Sequence, residues 1–532
     1  MNNMTKTQTR TQLSHALFSA ADVLRAKMDA NEYKNYLLGI VFFKYLSDKL
    51  LYQVGKILGP KELDLKRAQI LYEENNALHH KLKVELGYAI QPRHTFTYLM
   101  GEIEVDDFEI NDLASAFKDI EDTEAEFSGL FDDVDLTSQR LGNTKDSQTQ
   151  TIAQVMIALK NIELVKTEGD TLGDAYEFLI GQFASESGKK AGEFYTPQKV
   201  SELITRLTLI DNLSNQNIKV CDPAMGSGSL LLNFKKYVPD AKQVTYFGQE
   251  INVSTYNLAR MNMILHGVSP SQQHLRLGNT LESNWPNDSD NRFDAVVMNP
   301  PYSLKWSADE KYLRDPRFSE YGVLPPKSKA DYAFLLHGLF HLKEHGRMAI
   351  VLPQGVLFRE SSEGTIRRKL LEKGVIDAII GLPGHLFYNT PIPAIVIVLK
   401  KDKTDRSILF IDASKDFEKE NNQNVLREQD VQRILTTYQQ RKEVDKYCHI
   451  ASFEEIQEND YNLNISRYID TLEKQQEINL KTVAADLVEN RLELNRTGQE
   501  LIAMLKNLRS DDVEVMEGLN DIIHFFEGEY DD

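Results

Sequence analysis

The stretch FDAVVMNPPYSL, Phe293 to Leu304, reads as a buried strand stopped by two prolines, with an asparagine at the stop. Proline cannot donate to a sheet ladder, so Pro300 and Pro301 end the strand and fix two φ angles behind Asn299. The Asn299 amide oxygen and the Pro300 carbonyl become two held acceptors, and the flat ring of Tyr302 follows. That set suits a planar exocyclic amine: each acceptor takes one N–H hydrogen, and the Tyr302 ring stacks on the base. Drawing both N–H bonds aside localises the nitrogen lone pair and aims it at an electrophile. A sulfonium methyl needs no strong base, so catalysis of this kind is mostly positioning.

A second constellation lies upstream in NIKVCDPAMGSGSLLLNF, Asn217 to Phe234. A strand ends at Asp222, a Gly/Ser loop follows, and LLLNF opens a helix. Gly226 and Gly228 allow a tight turn and close approach of a ligand to backbone N–H groups at the helix start. The next strand, VTYFGQE, ends in Glu250. An acid at that place in an open α/β sheet bonds a ribose hydroxyl, which predicts an adenosine-bearing ligand. A phosphate ligand is disfavoured, because no lysine follows the loop and the acid at its start repels anions. A ligand with an ammonium group fits better, and S-adenosylmethionine is one. Taken alone, each element has a plainer reading: a tight turn for the Gly loop, an exposed strand end for Glu250.

The elements that must position these groups follow from periodicity. Apolar residues at three- and four-residue spacing from about Gln12 to Lys160 predict a helical region, its pieces separated by acidic connectors such as EIEVDDFEINDLASAFKDIEDTEAEF. From about Gly169 onward, β-branched runs alternate with amphipathic helices: NIKVCD, VTYFGQE, FDAVVMN, GRMAIVLP, IDAIIGLP, AIVIVLKK and SILFIDA. The alternation predicts an α/β sheet with helices on both faces, and the crowding of the last strands predicts an antiparallel edge pair. Beyond about Asp470 the chain turns helical again. Leu480, Leu487, Leu494, Leu501 and Leu508 form a heptad seam that suits either packing on its own protein or docking against a partner's helices. The final DDVEVMEGLNDIIHFFEGEYDD reads as a solvated acidic end.

Composition sets limits. At 532 residues, two or three domains are expected, and 41% hydrophobic with 27% charged residues is ordinary for a soluble protein. The longest apolar runs are too short to cross a bilayer, and MNNMTKTQTRTQ has no apolar core after its charges, so no membrane association and no secretory signal are expected. The cytoplasm is the predicted compartment. Two cysteines, Cys221 and Cys448, give neither a disulfide framework nor a zinc site, and no metal is expected. The net charge of −19 argues against free-standing DNA binding, which needs a basic surplus.

DPAMGSGSLL followed by NPPY resembles the amino-methyltransferases of DNA in which the cofactor motif precedes the catalytic one. GKKAGEFYTPQKVSELI (Gly188–Ile204), RLGNTL, KADYAFLLH, GRMAIVLPQGVLFR and IRRKLLEKGVIDAIIGLPGHLFYNT extend the likeness from about Lys166 to Lys400. With the helical N-terminal region and YNLNISRYI, it is most similar to the modification subunits of bacterial type I restriction–modification systems. The resemblance implies a Rossmann-like methyltransferase domain over 166–470, a helical domain over 1–165 and a C-terminal helical segment over 471–532. It implies N6-methylation of a flipped adenine in double-stranded DNA, with S-adenosyl-L-methionine as cofactor. Glu193, Phe194, Tyr195, Thr196, Pro197, Gln198, Ser227, Gly228 and Ser229 are expected to line the cofactor, with Asp222 and Gly226 nearby. Glu250 is expected to hold its ribose and Asn279 to lie near its adenine, although the family often has Asp there; Asn299, Pro300, Pro301 and Tyr302 are expected to hold the target base.

Family members lack a target-recognition domain, and no insert between these motifs is large enough to read DNA sequence. The resemblance therefore implies a separate DNA-specificity subunit, two modification subunits per specificity subunit, and a restriction/translocase subunit in the full complex. The loop Ser303–Lys329 has six Lys/Arg against four Asp/Glu. It suits phosphate contact or covering of the base by Trp306, and equally a solvated loop. Likewise LFYNTP (Leu386–Pro391) suits either a contact from Phe387 or Tyr388 to the base or a plain turn. Alternative functions are the same chemistry on RNA or on protein glutamine, and a non-catalytic cofactor-binding scaffold.

Overall fold

A computed structural model describes residues 15–59, 64–75, 77–162, 165, 176–177, 180–181, 183, 196–211, 217–286, 292–387, 391–420, 423–470 and 480–530. The chain forms two compact units, Met1–Asp470 and Thr471–Asp532.

In the first unit the helix Ala30–Leu58 is the axis of the N-terminal part. Its Leu37, Phe42, Phe43, Leu46 and Leu50 are completely buried and share one core with the helices Leu65–Glu74, Phe96–Glu104, Ile110–Glu121 and Lys145–Leu159. Phe117 stacks on Phe131 with ring centres 4.1 Å apart. The acidic stretch expected to be a connector contains one of these helices. Ile110, Leu113, Phe117 and Ile120 fall on a single helical face that turns inward, and the acids point out.

Among the described residues the sheet has nine strands in the order β11-β8-β6-β7-β5-β4-β1-β2-β3. They are β1 Ile218–Asp222, β2 Val244–Glu250, β3 Gln273–Leu277, β4 Phe293–Met298, β5 Leu342–Pro353, β6 Ile376–Gly381, β7 Ala394–Lys400, β8 Ile408–Asp412 and β11 Cys448–Ala451. A separate antiparallel hairpin joins β9 (Glu418–Glu420) to β10 (Gln423–Val425). Both faces are covered, as the alternation of elements predicts. Ala295 and Val297 of β4 enter one core with the helices Gln198–Leu209 and Ser229–Tyr237, whereas Val296 and Met298 enter the other with the helix Asp331–Phe340.

The expected antiparallel edge pair is corrected. β7 runs antiparallel but lies inside the sheet, between β5 and β6, and β6 pairs with β8 in parallel. A strand as uniformly apolar as AIVIVLK is stable only with neighbours on both sides. The antiparallel edge is instead β8 with β11.

One helix belongs to both parts of the unit. In Val253–Leu265, Leu258, Met261 and Leu265 enter the N-terminal core, while Ala259 and Met263 pack on the sheet. Polar contacts follow the same line: Ser254 Oγ donates to Asn35 Oδ1 at 3.0 Å, and Asn257 Nδ2 to the Gly129 carbonyl at 2.8 Å.

The second unit is a pair of helices, Leu480–Lys506 and Val513–Tyr530, tied by a 2.5 Å ion pair between Lys506 and Glu527. The acidic end is solvated as expected, but as an 18-residue helix whose residues are mostly exposed. Of the heptad leucines, Leu480, Leu487, Leu494, Leu501 and Leu508 are all exposed, while Ile502 and Ile523 are buried.

Ile397, at the middle of β7 and almost fully buried, tests the corrected topology. I397A is expected to lower stability by about 2–5 kcal/mol, read as a lower urea midpoint by circular dichroism. A surface-like loss of less than about 0.5 kcal/mol would contradict an interior β7.

Candidate active site

Parallel pairing of β1 with β4, Cys221 opposite Val296, brings two carboxyl ends side by side. The strand order reverses there, because β2 follows on one side of β1 and β5 on the other side of β4. Open α/β sheets bind ligands in the crevice at such a switch point. Here it opens as a cavity of about 380 Å3.

The loop after β1 forms one wall. Gly226 and Gly228 have φ of 54° and 79°, a left-handed backbone that a β-carbon disfavours. Gly228 caps the helix Ser229–Tyr237, and a β-carbon on it would lie 3.4 Å from Met263 Cε. The loop is anchored to the next strand by Met225 N–H to the Gln249 carbonyl at 3.0 Å. Asn262, from the shared helix, donates to the Ser227 carbonyl at 3.1 Å.

Two carboxylates stand behind and beside this loop. Glu250, at the end of β2, lines the cavity and accepts from Gly226 N–H at 3.1 Å and Asn252 N–H at 2.9 Å. Asp222 is completely buried at the end of β1. Its Oδ1 accepts from Ala224 N–H at 3.0 Å, whereas Oδ2 has no hydrogen-bond partner among the described residues. Burial, reinforced by the charge on Glu250, pushes the Asp222 carboxyl up to about 8.

Asn299 follows β4 and is 4% exposed. Its Nδ2 donates to Thr196 Oγ1 at 2.9 Å, which sets the amide's orientation, and Oδ1 is buried with no partner among the described residues. Thr196 precedes Pro197, the cap of the helix Gln198–Leu209, so the Thr-Pro pair starts a helix and faces the site at once. Tyr302 packs edge-on against Phe387, ring centres 6.1 Å apart. Its hydroxyl is buried without a hydrogen-bond partner among the described residues, and burial raises its pKa.

Of the residues expected from sequence, Thr196, Gly226, Ser227, Ser229, Glu250, Asn279, Asn299 and Pro301 line the cavity. Asp222, Gly228, Pro197, Gln198, Pro300 and Tyr302 adjoin it in sequence but are not part of its lining. Glu193, Phe194, Tyr195 and Tyr388 lie outside the described residues.

Sequence reasoning missed Gln249, Thr280 and Phe334, which also line it. Gln249 is completely buried; it accepts from Thr280 Oγ1 at 2.8 Å and donates to the carbonyls of Ser283 and Asn284. A glutamine inside a buried strand must have such partners, and that was the available signal.

Ser303–Lys329 is part packed and part exposed: Lys305, Lys311, Arg314 and Lys327 face solvent, while Trp306 lines the cavity. Trp306 is buried against Tyr312 and Phe318, and its indole N–H donates to the Pro326 carbonyl at 3.1 Å. Arg317, 2% exposed, donates to Asp315 and to the carbonyls of Thr280 (3.2 Å) and Leu281 (3.0 Å). The loop is thereby fastened to the wall that carries Asn279.

Fold and site together define a methyltransferase of the Rossmann-like class. Residues 167–477 match the family described as N-6 DNA Methylase, and residues 13–159 match the HsdM N-terminal domain. The chain is 33% identical over 542 residues to the type I restriction enzyme MpnII methylase subunit of Mycoplasma pneumoniae, covering 97% of each. It is 32% identical over 488 residues to the MjaVIII methylase subunit of Methanocaldococcus jannaschii, covering 88% of this chain and 80% of that one. The crystal structure of a type I restriction-modification system methyltransferase subunit from Streptococcus thermophilus superposes with a TM-score of 0.84 at 52% identity, over 87% of this chain and 100% of that one. The chain belongs to the N-6 DNA methylase family and is an enzyme of the type I restriction methylase-subunit group.

Among the described residues no helix is long and apolar enough to cross a membrane, and no group of three or more His, Cys, Asp or Glu is placed to hold a metal ion.

The raised Asp222 pKa has a measurable consequence. Unfolded, the carboxyl ionises near pH 4, about its ordinary value; folded, it keeps its proton to about pH 8. Between those values the folded state binds the extra proton, so this group's contribution to stability is full at low pH and is lost as pH rises. D222N lacks the titration, so its urea midpoint relative to the parent's is expected to rise steadily from pH 5 to pH 8. A constant difference over that range would contradict the assignment.

Proposed function

We propose that this subunit transfers a methyl group from S-adenosylmethionine to the exocyclic N6 of an adenine extruded from double-stranded DNA. The observation that carries the reading is the Asn299 amide. Its nitrogen is committed to Thr196, which leaves the buried Oδ1 as a fixed acceptor at the cavity wall, where an amino hydrogen would satisfy it. An adenine inside a duplex cannot reach such a place without leaving the stack.

The residues present fit the cofactor. Glu250, Ser227, Ser229 and Asn279 line the cavity with carboxylate, hydroxyl and amide groups, a set that suits ribose hydroxyls and an ammonium group. When bound there, S-adenosylmethionine supplies a methyl group on a sulfonium. Glu193 to Gln198, Ser227 to Ser229 and Gly226 hold the cofactor, and Asn279 attends its adenine. On the target side, Asn299 Oδ1 and the Pro300 carbonyl take the two amino hydrogens, and Pro300 and Pro301 keep both acceptors still. Tyr302 presents its ring to the base, and the Phe387 packing gives that ring a fixed edge. Positioning of this kind lowers the barrier without a general base.

The net charge of −19 supports sharing of DNA binding with partners: a DNA-specificity subunit serving two modification subunits, and a restriction/translocase subunit. A helical core centred on Ala30–Leu58, joined to the sheet by Leu258, Met261 and Leu265, supports a division into 1–165, 166–470 and 471–532, with the catalytic part in the middle and the last segment used for docking. A cytoplasmic location accords with a DNA substrate. RNA or protein-glutamine methylation is the alternative substrate reading.

Mass spectrometry and methylation sequencing of genomic DNA, with the gene present, deleted or carrying N299A, test the reading. Loss of one N6-methyladenine motif in the deletion and in N299A is expected; an unchanged DNA methylome with altered RNA or glutamine methylation would overturn it. In vitro, N299A is expected to lower turnover at least about 100-fold with cofactor affinity retained. E250A is expected to weaken cofactor binding about 10- to 100-fold by calorimetry.

A further inference from the structure

The backbone leaving Tyr302 is held by two buried carboxylates bridged by the partly exposed Arg359, a group that none of the steps above uses. Ser303 has φ of 53°, a left-handed conformation uncommon for serine, and its N–H donates to Asp331 Oδ1 at 2.9 Å. Asp331 is completely buried at the start of the helix Asp331–Phe340. Its Oδ2 accepts from Arg359 Nη2 at 2.5 Å, and Arg359 Nε donates to Glu363 Oε2, also at 2.5 Å. Glu363 is 2% exposed and sits in the first turn of the helix Ser362–Glu372. None of the three lines the cavity.

Burying such a group of charges costs free energy that apolar residues of the same volume would not, so stability alone does not account for it. What the group supplies is direction. The upstream end of the Asn299–Tyr302 turn is fixed by the β4 ladder and by Thr196. Its downstream end is tied to Asp331 through the Ser303 N–H, ahead of the Ala330 N–H to Leu304 carbonyl bond at 2.9 Å, and Asp331 keeps that orientation while Arg359 engages its other oxygen. The planar guanidinium reaches both carboxylates from one side chain, which a lysine's point charge does not reproduce. Asp331 is also close enough for its charge to add to the rise in the Tyr302 hydroxyl pKa that burial causes.

We infer that Asp331, Arg359 and Glu363 act as one positioning relay for the target-base turn, with Asp331 pinning Ser303 and Arg359 and Glu363 orienting Asp331. The inference rests on the methyltransferase reading above. Since the relay touches only the target side, its loss moves Tyr302 and the acceptors beside it while leaving the cofactor wall in place. Misplacement of reacting groups by about 1 Å costs about 100-fold in rate.

The test uses the full chain in its methylating complex, with R359K, D331N and the double variant. R359K and D331N are each expected to lower kcat about 10- to 100-fold while the cofactor KM stays within about threefold. The double variant is expected to lose about as much as the worse single one, because both break the same relay. E363Q, which keeps an oxygen for Arg359, is expected to retain most of the parent's kcat. Unchanged kcat in both single variants, cofactor KM rising in step with the loss of kcat, or losses that multiply in the double variant would each overturn the relay. Should D331N not fold, the kcat–KM split in R359K, which keeps the charge, decides alone. A parent complex that methylates no DNA would overturn the underlying reading instead, and is seen before any variant is compared.

Discussion

Everything at the site hangs on the parallel pairing of β1 with β4. Because their ladder is in register from Val220–Ala295 to Cys221–Val296, the two strands run out of hydrogen bonds at the same level. At that level one chain turns through two left-handed glycines into a helix, and the other stops at two prolines. The first turn brings Gly226 and Ser227 beside Glu250 of β2, and the second brings the buried Asn299 amide oxygen to the same cavity. The Asn299 amide and the glycine loop with Glu250 thus face one cavity through strand geometry.

The rest of the first unit keeps those two turns still. Glu250 ties the β1 loop to the end of β2, and Asn262 ties it to the helix that is also part of the N-terminal core. Arg317 closes the other side. By spending its donors on Asp315 and on the Thr280 and Leu281 carbonyls, it joins the segment after Tyr302 to the turn that carries Asn279. Arg317 and the Asn299–Thr196 hydrogen bond thus join the two sides of the cavity to each other.

Much of this was legible in the chain. Strands that are apolar throughout, such as FDAVVM and AIVIVLK, declare themselves because buried parallel and central strands have no polar face. The glycine loop, Glu250 and Asn299 were legible because their chemistry demands particular residues at strand ends. What could not be read depends on tertiary partners. β3 has one buried residue, Leu275, and earns its place only by pairing along β2. The interior position of β7 follows from sheet order, which local sequence does not encode. For Ser303–Lys329 the sequence left contact and solvation open, because burial of Trp306, Tyr312, Phe318 and Arg317 depends on walls supplied by distant residues.

The central claim is that Asn299 Oδ1, oriented by Thr196, receives the amino group of an extruded adenine. A structure of the complex with target DNA and the unreactive cofactor analogue sinefungin tests it most directly. The account predicts the target adenine outside the duplex, with its amino nitrogen about 2.7–3.2 Å from Asn299 Oδ1 and the Thr196 contact retained. An adenine left in the stack, or an amino group held by other residues while Asn299 Oδ1 stays empty, would contradict it.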